Sequence, residues 1–493
     1  MKRCIIISML LALTSLFEVR GDDTELLPAK GVGMKMTLEQ AIAIAQGESV
    51  SAVQAENSMV TADWNYRLYK AERLPQVSFT GTIPSFQQNY VSYQHSDGSY
   101  SFVENNYLGV DAGLYISQSL PFSGGSLQLE TSIDFIHQFS DNGSNQFMSV
   151  PVKLTLYQPI FGVNDAKWDK KIEPLEYEES KREYREDVIN ISLSTTTLYF
   201  NALVAQSSLQ IASDNYKNAQ FLQRIAEAKR DKGIISQRDV DQLRLQALQA
   251  KATLTDAQST MRSQMFELVA YLGLGDDTQL DISLPEYTPS GQISYSVALD
   301  YAMEQGSFST NIQRRDIEAD YLVAQAKGSR RQIDLYASYG TTGVDENLKY
   351  SYSNLTRNQL FQVGFSIPIL DWGSSKAQVE IAQRNRVAVD AQIKQEEISY
   401  RQDLFLLVEN FNNQAAQLKI ARESNTLAAE GYNIVLQTYI SGDTDILSLN
   451  DARSDRDSAQ QTLVWQIYMY WYYYYQIEII CLEKIENIVA QSK

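Results

Sequence analysis

Two stretches of this chain, 164–232 and 374–441, are rich in Ala, Glu, Gln and Leu and contain one proline between them, Pro174. As single helices each would run roughly 100 Å, at about 1.5 Å per residue. Their apolar residues mark only a thin stripe: Tyr177, Tyr184, Ile191, Leu198 and Ala205 recur every seven residues, as do Ile420, Leu427 and Ile434. A helix this long with so narrow a stripe cannot close around a globular core and needs partner helices along its length. After Gly233 a returning helix places Val240, Leu243, Ala247, Ala250, Leu254, Ala257 and Met261 in 3-4 alternation. That is a coiled-coil seam, and its alanines let antiparallel helices approach closely.

The long helices belong to an internal repeat. "DKGIISQRDVDQLR" around Gly233 matches "ISGDTDILSLNDAR" around Gly442 at an offset of 209, which also carries Pro159 onto Pro368 and Arg244 onto Arg453. The returning seam reappears, weaker, at Leu449, Ala452, Arg456, Ala459, Leu463, Gln466 and Tyr470. Earlier, "TLEQAIAIA" (37–45) matches "SYSVALDYA" (294–302) at an offset of 257. The two offsets differ by about 48 residues, which the first half carries as extra strand sequence.

The predicted organisation is a signal peptide at 1–21 followed by two repeats. The first repeat, 22–280, has a start helix at 37–72, a β segment at 76–160 with an extra hairpin, a long helix at 164–232 and a returning helix at 236–272. The second, 281–493, has a start helix at 294–330, a β segment at 332–370, a long helix at 374–441 and a returning helix at 445–483.

Both β segments alternate apolar with small or polar residues, as in "QVSFTGTIPSF" and "QLFQVGFSIPIL", between polar loops such as "HSDGSYSFVENN". This period of two fits a membrane barrel wall, and equally a half-buried sheet of a soluble domain. The N-terminal "MKRCIIISMLLALTSLFEVRG" reads as an export signal, a short apolar run behind two basic residues, and tips the balance toward the membrane. No other apolar run of helix-spanning length is expected, so any membrane entry would be through strands. Cleavage would leave Cys481 as the single cysteine and no internal disulfide.

A net charge of −18 offers no basic surface for nucleic acid. His95 and His137 are the two histidines, and no phosphate loop, nucleophile elbow or metal-ligand spacing is present. "DTD" at 443–445 lacks the later ligands of a calcium loop. Neither an enzyme nor a cofactor site is expected.

Tandem halves with "(S/T)LxxAlxxA", strands ending in "QPIFG" or "IPILDWG", a long helix and a "G…D" turn resemble the TolC-type outer-membrane efflux protein family over nearly all of the exported chain. The resemblance implies an elongated α+β homotrimer, whose pooled strands close a β-barrel in the outer-membrane lipid continuous with a periplasmic α-helical tunnel. It also implies a passive exit duct for drugs, small toxic molecules or secreted peptides and proteins, served by a periplasmic adaptor and an inner-membrane transporter. Relatives with two hairpins contribute four strands each; the extra 48 residues leave open whether the added hairpin enlarges the barrel, folds outside it or lies within it. A periplasmic coiled-coil scaffold or adaptor without a pore of its own is the alternative.

Such ducts narrow where the helix-turn tips meet. Gly233 and Gly442 are expected to end the long helices, and Ser236 and Asp445 to cap the returning ones. By resemblance these tips contact the adaptor, Tyr439 ties to Asp239, and one acidic ring falls on Asp451. The second ring position is Ser448 and the expected tip arginine is Thr444, both departures from the family pattern, while Asp443 adds charge near the mouth. Without the resemblance, Asp451 reads as a solvated helix face.

The aromatic run "WQIYMYWYYYYQ" (465–476) follows the returning seam without Gly or Pro, so helix is the economical reading. Leu463, Ile467, Tyr470, Trp471 and Tyr474 would share one side and Tyr468, Tyr472, Tyr475 and Ile479 another. A lipid-interface belt is the second reading.

Overall fold

The structure, a computed structural model, describes residues 34–139, 143–233, 235–275, 278–285, 291–330, 332–367, 369–441 and 443–492. The expected signal peptide, Pro368 and Gly442 lie outside the described residues. In chain order the first repeat contains β1 (Met34–Met36), α1 (Leu38–Glu48), α2 (Val50–Glu72), β2 (Gln76–Gln94), β3 (Tyr100–Leu120), β4 (Gly125–Gln138), β5 (Ser144–Pro159), α3 (Asp165–Asp231) and α4 (Gln237–Tyr271). There follow β6 (Leu280–Ile282), α5 (Tyr295–Gln305), α6 (Ser307–Gly328), β7 (Gln332–Asp345), α7 (Leu348–Ser351) and β8 (Leu355–Ser366). The chain finishes with α8 (Ser374–Ser441), α9 (Ile446–Cys481) and α10 (Ile485–Gln491).

The described residues fall into two compact units, one drawn from 34–45 and 198–285, the other from 46–197 and 291–492. In the first, β1 and β6 pair in parallel, with Met34 opposite Leu280 and Met36 opposite Ile282. Tyr199, fully buried, ties them together. Its hydroxyl lies 2.9 Å from the Met36 carbonyl and 2.7 Å from that of Ser283, and it accepts from Ser283 N at 3.2 Å. Burial pushes that phenol above its ordinary pKa. On α4 the seam residues Val240, Leu243 and Ala247 are buried, whereas Ala250, Leu254 and Met261 are half-buried.

Both start helices are broken, where continuous helices over 37–72 and 294–330 were expected. Ser49, buried and extended (φ −70°, ψ 152°), ends the first segment and caps the second by accepting from Ala52 N at 3.1 Å. The second-half break is Gly306 (φ −62°, ψ 153°), the position 257 residues on. A Cβ there would meet the Ala302 carbonyl at 2.4 Å and the Ile480 carbonyl at 3.0 Å, so close backbone packing requires glycine. Ser49 reaches the same bend through its cap.

The second unit holds one antiparallel sheet in the order β2-β3-β4-β5-β7-β8. Cross-strand partners share a face, and the register separates the faces cleanly. One row runs Val77, Ile116, Leu129, Leu154, Tyr339; the adjacent row, on the opposite face, runs Ser78, Tyr115, Glu130, Lys153, Gly340. Phe79, Phe361 and Phe365 on the apolar face are each 74% exposed. On the polar face Lys153 pairs with Glu130 at 3.2 Å. β2 and β8 are the edges.

Helices α8 and α9 form an antiparallel pair. Phe411 and Tyr470 sit with ring centroids 5.3 Å apart, and Gln414 donates to the Gln466 carbonyl at 2.9 Å. Arg456, an odd residue for a seam, stacks over Tyr432 at 4.2 Å. Within the chain the stripe Ile420, Leu427 and Ile434 is exposed, while Phe411, Gln414, Leu418, Ala421 and Tyr432 are the buried residues of this part of α8. A seven-residue period shows which residues share a side, but not which of two stripes meets the partner within the chain.

Ion pairs join α6 to α8: Arg386 reaches Asp316 (2.5 Å) and Asp320 (2.7 Å), and Arg315 reaches Glu396 (2.6 Å). Arg314 pairs with the buried Glu179 of α3 at 2.6 Å. A second correction concerns α3, which contains an 18-residue window apolar enough to cross a membrane by length and composition. Just over half of that window (56%) is buried.

The aromatic run is helical within α9. Ile467, Tyr470, Trp471 and Tyr474 are buried, whereas Leu463 on the same side is half-buried, as are Tyr468, Tyr472, Tyr475 and Ile479. The helix turns at Leu482, left-handed at φ 48°, into α10, which lies past the expected end at 483. Cys481 is buried, its thiol pushed up to about 12 by that burial.

Candidate functional site

The helix-turn tips are built by local capping chemistry. At the first, Gly233 is left-handed (φ +73°) and donates from N to the Arg230 carbonyl at 2.7 Å. Nothing lies within 4 Å of where its Cβ would be, so glycine is present for its dihedral, not for space. Arg230 bridges the turn to Asp231 (2.6 Å) and Gln237 (3.2 Å). Ser236 then caps α4 reciprocally: its hydroxyl accepts from Asp239 N at 3.3 Å, while Asp239 accepts from Ser236 N at 3.1 Å. Asp239 also accepts from the Ser236 hydroxyl at 2.7 Å, and these bonds hold its carboxyl below the usual range.

The second tip follows the same plan with the residues exchanged. Asp445 caps α9 and accepts from Ser448 N at 2.9 Å and from the Ser448 hydroxyl at 2.6 Å, which lowers its pKa. Ser236 corresponds to Asp445, and Asp239 to Ser448, at the 209-residue offset. Before the cap, Asp443 N donates to the Thr438 carbonyl (2.9 Å), the Ser441 hydroxyl donates to Asp443 (3.0 Å), and the Thr444 and Thr438 hydroxyls meet at 3.0 Å. Thr444, in the place of the expected arginine, thus tightens the turn rather than projecting a charge.

Tyr439 is half-buried in the last turn of α8, and burial raises its phenol pKa. Asp443 and Asp451 are exposed, Asp451 on the second turn of α9. Ser448 is committed to its cap, and so is Asp239. Neither cap partnership was anticipated for Ser448 or Asp239, although "SQRD" (236–239) is itself a legible capping-box signature. His95 meets Ser101 at 2.8 Å and His137 meets Asn145 at 2.7 Å, each across a hairpin. Among the described residues no group of three or more His, Cys, Asp or Glu is placed to hold a metal ion.

The outer membrane efflux protein family model matches residues 42–274 and 312–466, well over half of the chain. Curated protein sequences give no match. Among solved structures, the fold resembles the Campylobacter jejuni CmeC outer membrane channel at 16% identity and a TM-score of 0.63, covering 92% of this chain and 89% of that one. It also resembles the Vibrio cholerae outer membrane protein VceC (15% identity, TM-score 0.61, 90% and 95% covered). The open-state Neisseria gonorrhoeae MtrE outer membrane channel aligns at 14% identity and a TM-score of 0.56, with 90% and 88% covered. The two matched segments take in α2 to α4 of the first repeat and most of α6 to α9 of the second, so the chain belongs to the outer membrane efflux protein family.

Proposed function

We propose that three copies of this chain form a channel-tunnel through which substrates leave passively, driven by an inner-membrane pump joined through a periplasmic adaptor. The outer-membrane location follows from the family. The observation that carries the reading is the sheet: one face apolar and exposed, the other polar, with free edges at β2 and β8. In lipid an open edge leaves backbone groups unpaired, so the sheet must close on further strands. Six alternating strands make the two edges run in opposite directions, so β8 of one copy can pair antiparallel with β2 of the next. A rotationally repeated contact of that kind closes a ring.

In this reading the helix tips form the periplasmic gate. Tyr439 hydrogen-bonds Asp239 in the closed state, Asp451 contributes three carboxylates around the axis, and Asp443 adds negative charge at the mouth. Ser448 leaves the second ring position uncharged, so the constriction is less acidic than in the family pattern. The turns containing Gly233, Ser236, Gly442 and Asp445 meet the adaptor. A periplasmic scaffold without a pore has no use for an exposed face bearing Phe79, Phe361 and Phe365. Extraction from outer membranes tests the proposal: a heat-resistant trimer in detergent is expected, and a soluble monomer obtained without detergent overturns it. Deleting the gene and comparing antibiotic and bile-salt susceptibility with the secreted protein profile separates efflux from secretion.

A further inference from the structure

The two repeats build unequal amounts of wall. At the 257-residue offset β2 corresponds to β7, and at the 209-residue offset β5 corresponds to β8. β7 and β8 are direct neighbours, whereas β2 and β5 are separated by β3 and β4 both in sequence and across the sheet. The additional residues of the first half are therefore a hairpin threaded between the two strands of an ancestral one.

We infer that this hairpin is an integral part of the membrane wall, so that the closed barrel carries eighteen strands rather than the twelve that four strands per chain would supply. The inference rests on the threefold duct proposed above. Three observations carry it.

The ladder is continuous. β3 pairs with β2 from Gln76–Ser117 to Gln94–Tyr100, and β4 pairs with β5 from Ser126–Tyr157 to Gln138–Ser144, each ladder interrupted by one bulge. Neither flanking strand is left free to pair with the other.

The faces agree. Leu114, Ile116, Leu129 and Phe135 of the inserted strands lie on the same face as Phe79, Val77, Leu154 and Phe147 of their neighbours. Tyr115, Asp111, Glu130 and Asp134 lie on the other face with Ser78, Thr82 and Lys153. A hairpin folded into a water-filled lumen or out into solvent has no reason to keep the wall's apolar face.

The foot of the hairpin is fastened where the wall meets the helices. Asn164, just before α3, donates to the Pro121 carbonyl at 2.9 Å, and Gln158 at the end of β5 donates to that of Ser123 at 2.8 Å. Gln118 donates to the carbonyl of Arg73, the residue that ends α2, at 2.9 Å. Gly124 (φ +76°) and Gly125 close the turn, and a Cβ on Gly125 would stand 2.5 Å from the Tyr157 carbonyl. The turn is short and flush with the other strand feet, as the periplasmic turns of membrane barrels are.

With strands about 4.8 Å apart and tilted about 40°, eighteen strands give a barrel about 36 Å across between backbones, against about 24 Å for twelve. Barrels of roughly 16–18 strands leave an aqueous channel. The outlet is thus wider by about half, suited to hydrated cargo larger than a twelve-strand wall admits.

Electron cryo-microscopy of the full chain purified from outer membranes reads the strand number directly. A threefold particle with eighteen strands, about 36 Å across, is expected. A threefold particle with a barrel of about 24 Å and residues 100–138 folded inside or outside it overturns the inference but leaves the duct intact. A particle with neither threefold symmetry nor a barrel overturns the duct itself. In the same full chain, a fluorophore on Leu129→Cys should be quenched by brominated lipid several-fold more than one on Gln128→Cys. Equal quenching at the two positions overturns the placement of the hairpin in the wall.

Discussion

Asp445 accepts two hydrogen bonds from Ser448, one from its backbone N–H and one from its hydroxyl, and so fixes the start of α9. At the other tip Ser236 and Asp239 do the same work with their chemical types reversed. In both, the donated bonds hold the carboxyl below its ordinary value of 3.8. The stability each carboxylate contributes is therefore fully present above pH 3.8 and is lost as the pH falls through the lower folded value.

The cap role of Asp239 decides how the proposed gate should be tested. Asp239→Ala removes a cap partner as well as any tie to Tyr439, so a rise in conductance from it alone is ambiguous. Tyr439→Phe deletes only a hydroxyl. It is expected to raise single-channel conductance in planar bilayers, and combining it with Asp239→Ala should raise conductance further. Unchanged conductance in both variants removes the proposed tie.

Asp451→Ala tests the axial ring. Three carboxylates at a constriction favour cations and concentrate multivalent ones. The variant should require roughly tenfold more trivalent cation for half-block, which corresponds to about 1.4 kcal/mol of lost interaction. An undiminished block places Asp451 on a solvated helix face.

Glu478 sets a pH dependence of opposite sign to the caps. Burial pushes its carboxyl from 4.5 up to about 7, against the hydrogen bond it accepts from Ile485 N at 3.3 Å. Tyr474, Glu486 and Lys484 are its other titratable neighbours. The folded chain holds a proton there that the unfolded chain has released, so stability is greatest below pH 4.5 and falls as the pH rises through about 7. The fall is on the order of 3 kcal/mol. Glu478→Gln should flatten the profile of unfolding midpoint against pH over that window; a profile unchanged from the parent assigns the dependence elsewhere.

Tyr199→Phe should cost about 1 kcal/mol, because the buried Met36 carbonyl and the Ser283 backbone lose their hydrogen-bond partner. The fully buried hydroxyl is the partner of Ser283 N and sits against the carbonyls of Met36 and Ser283. Amide exchange at Ser283 should accelerate on loss of that hydroxyl, whereas a merely looser core would leave it comparable to its neighbours.

The sequence discloses the long helices and the strands readily, because each repeats a simple period over many residues. It conceals the breaks at Ser49 and Gly306, since one extended residue hardly disturbs a 3.6-residue pattern, and at Gly306 the close packing involves Ile480, far along the chain. The pairing of β1 with β6 is equally hidden, three residues being too few to show alternation. At the tips the local half of the chemistry was legible in "SQRD" and in the turn glycines. By sequence Ser448 reads as a missing charge, whereas its nearer task is to donate to Asp445. The placement of the added hairpin could not be read either, because alternation identifies a strand but not its neighbour.

The parallel pairing of Met34–Met36 with Leu280–Ile282 has a bearing on biogenesis. A chain delivered across the inner membrane from its N-terminus presents β1 early, yet β1 has nothing to pair with until the whole first repeat has emerged. Completion of that repeat is therefore marked by a clasp between its two ends.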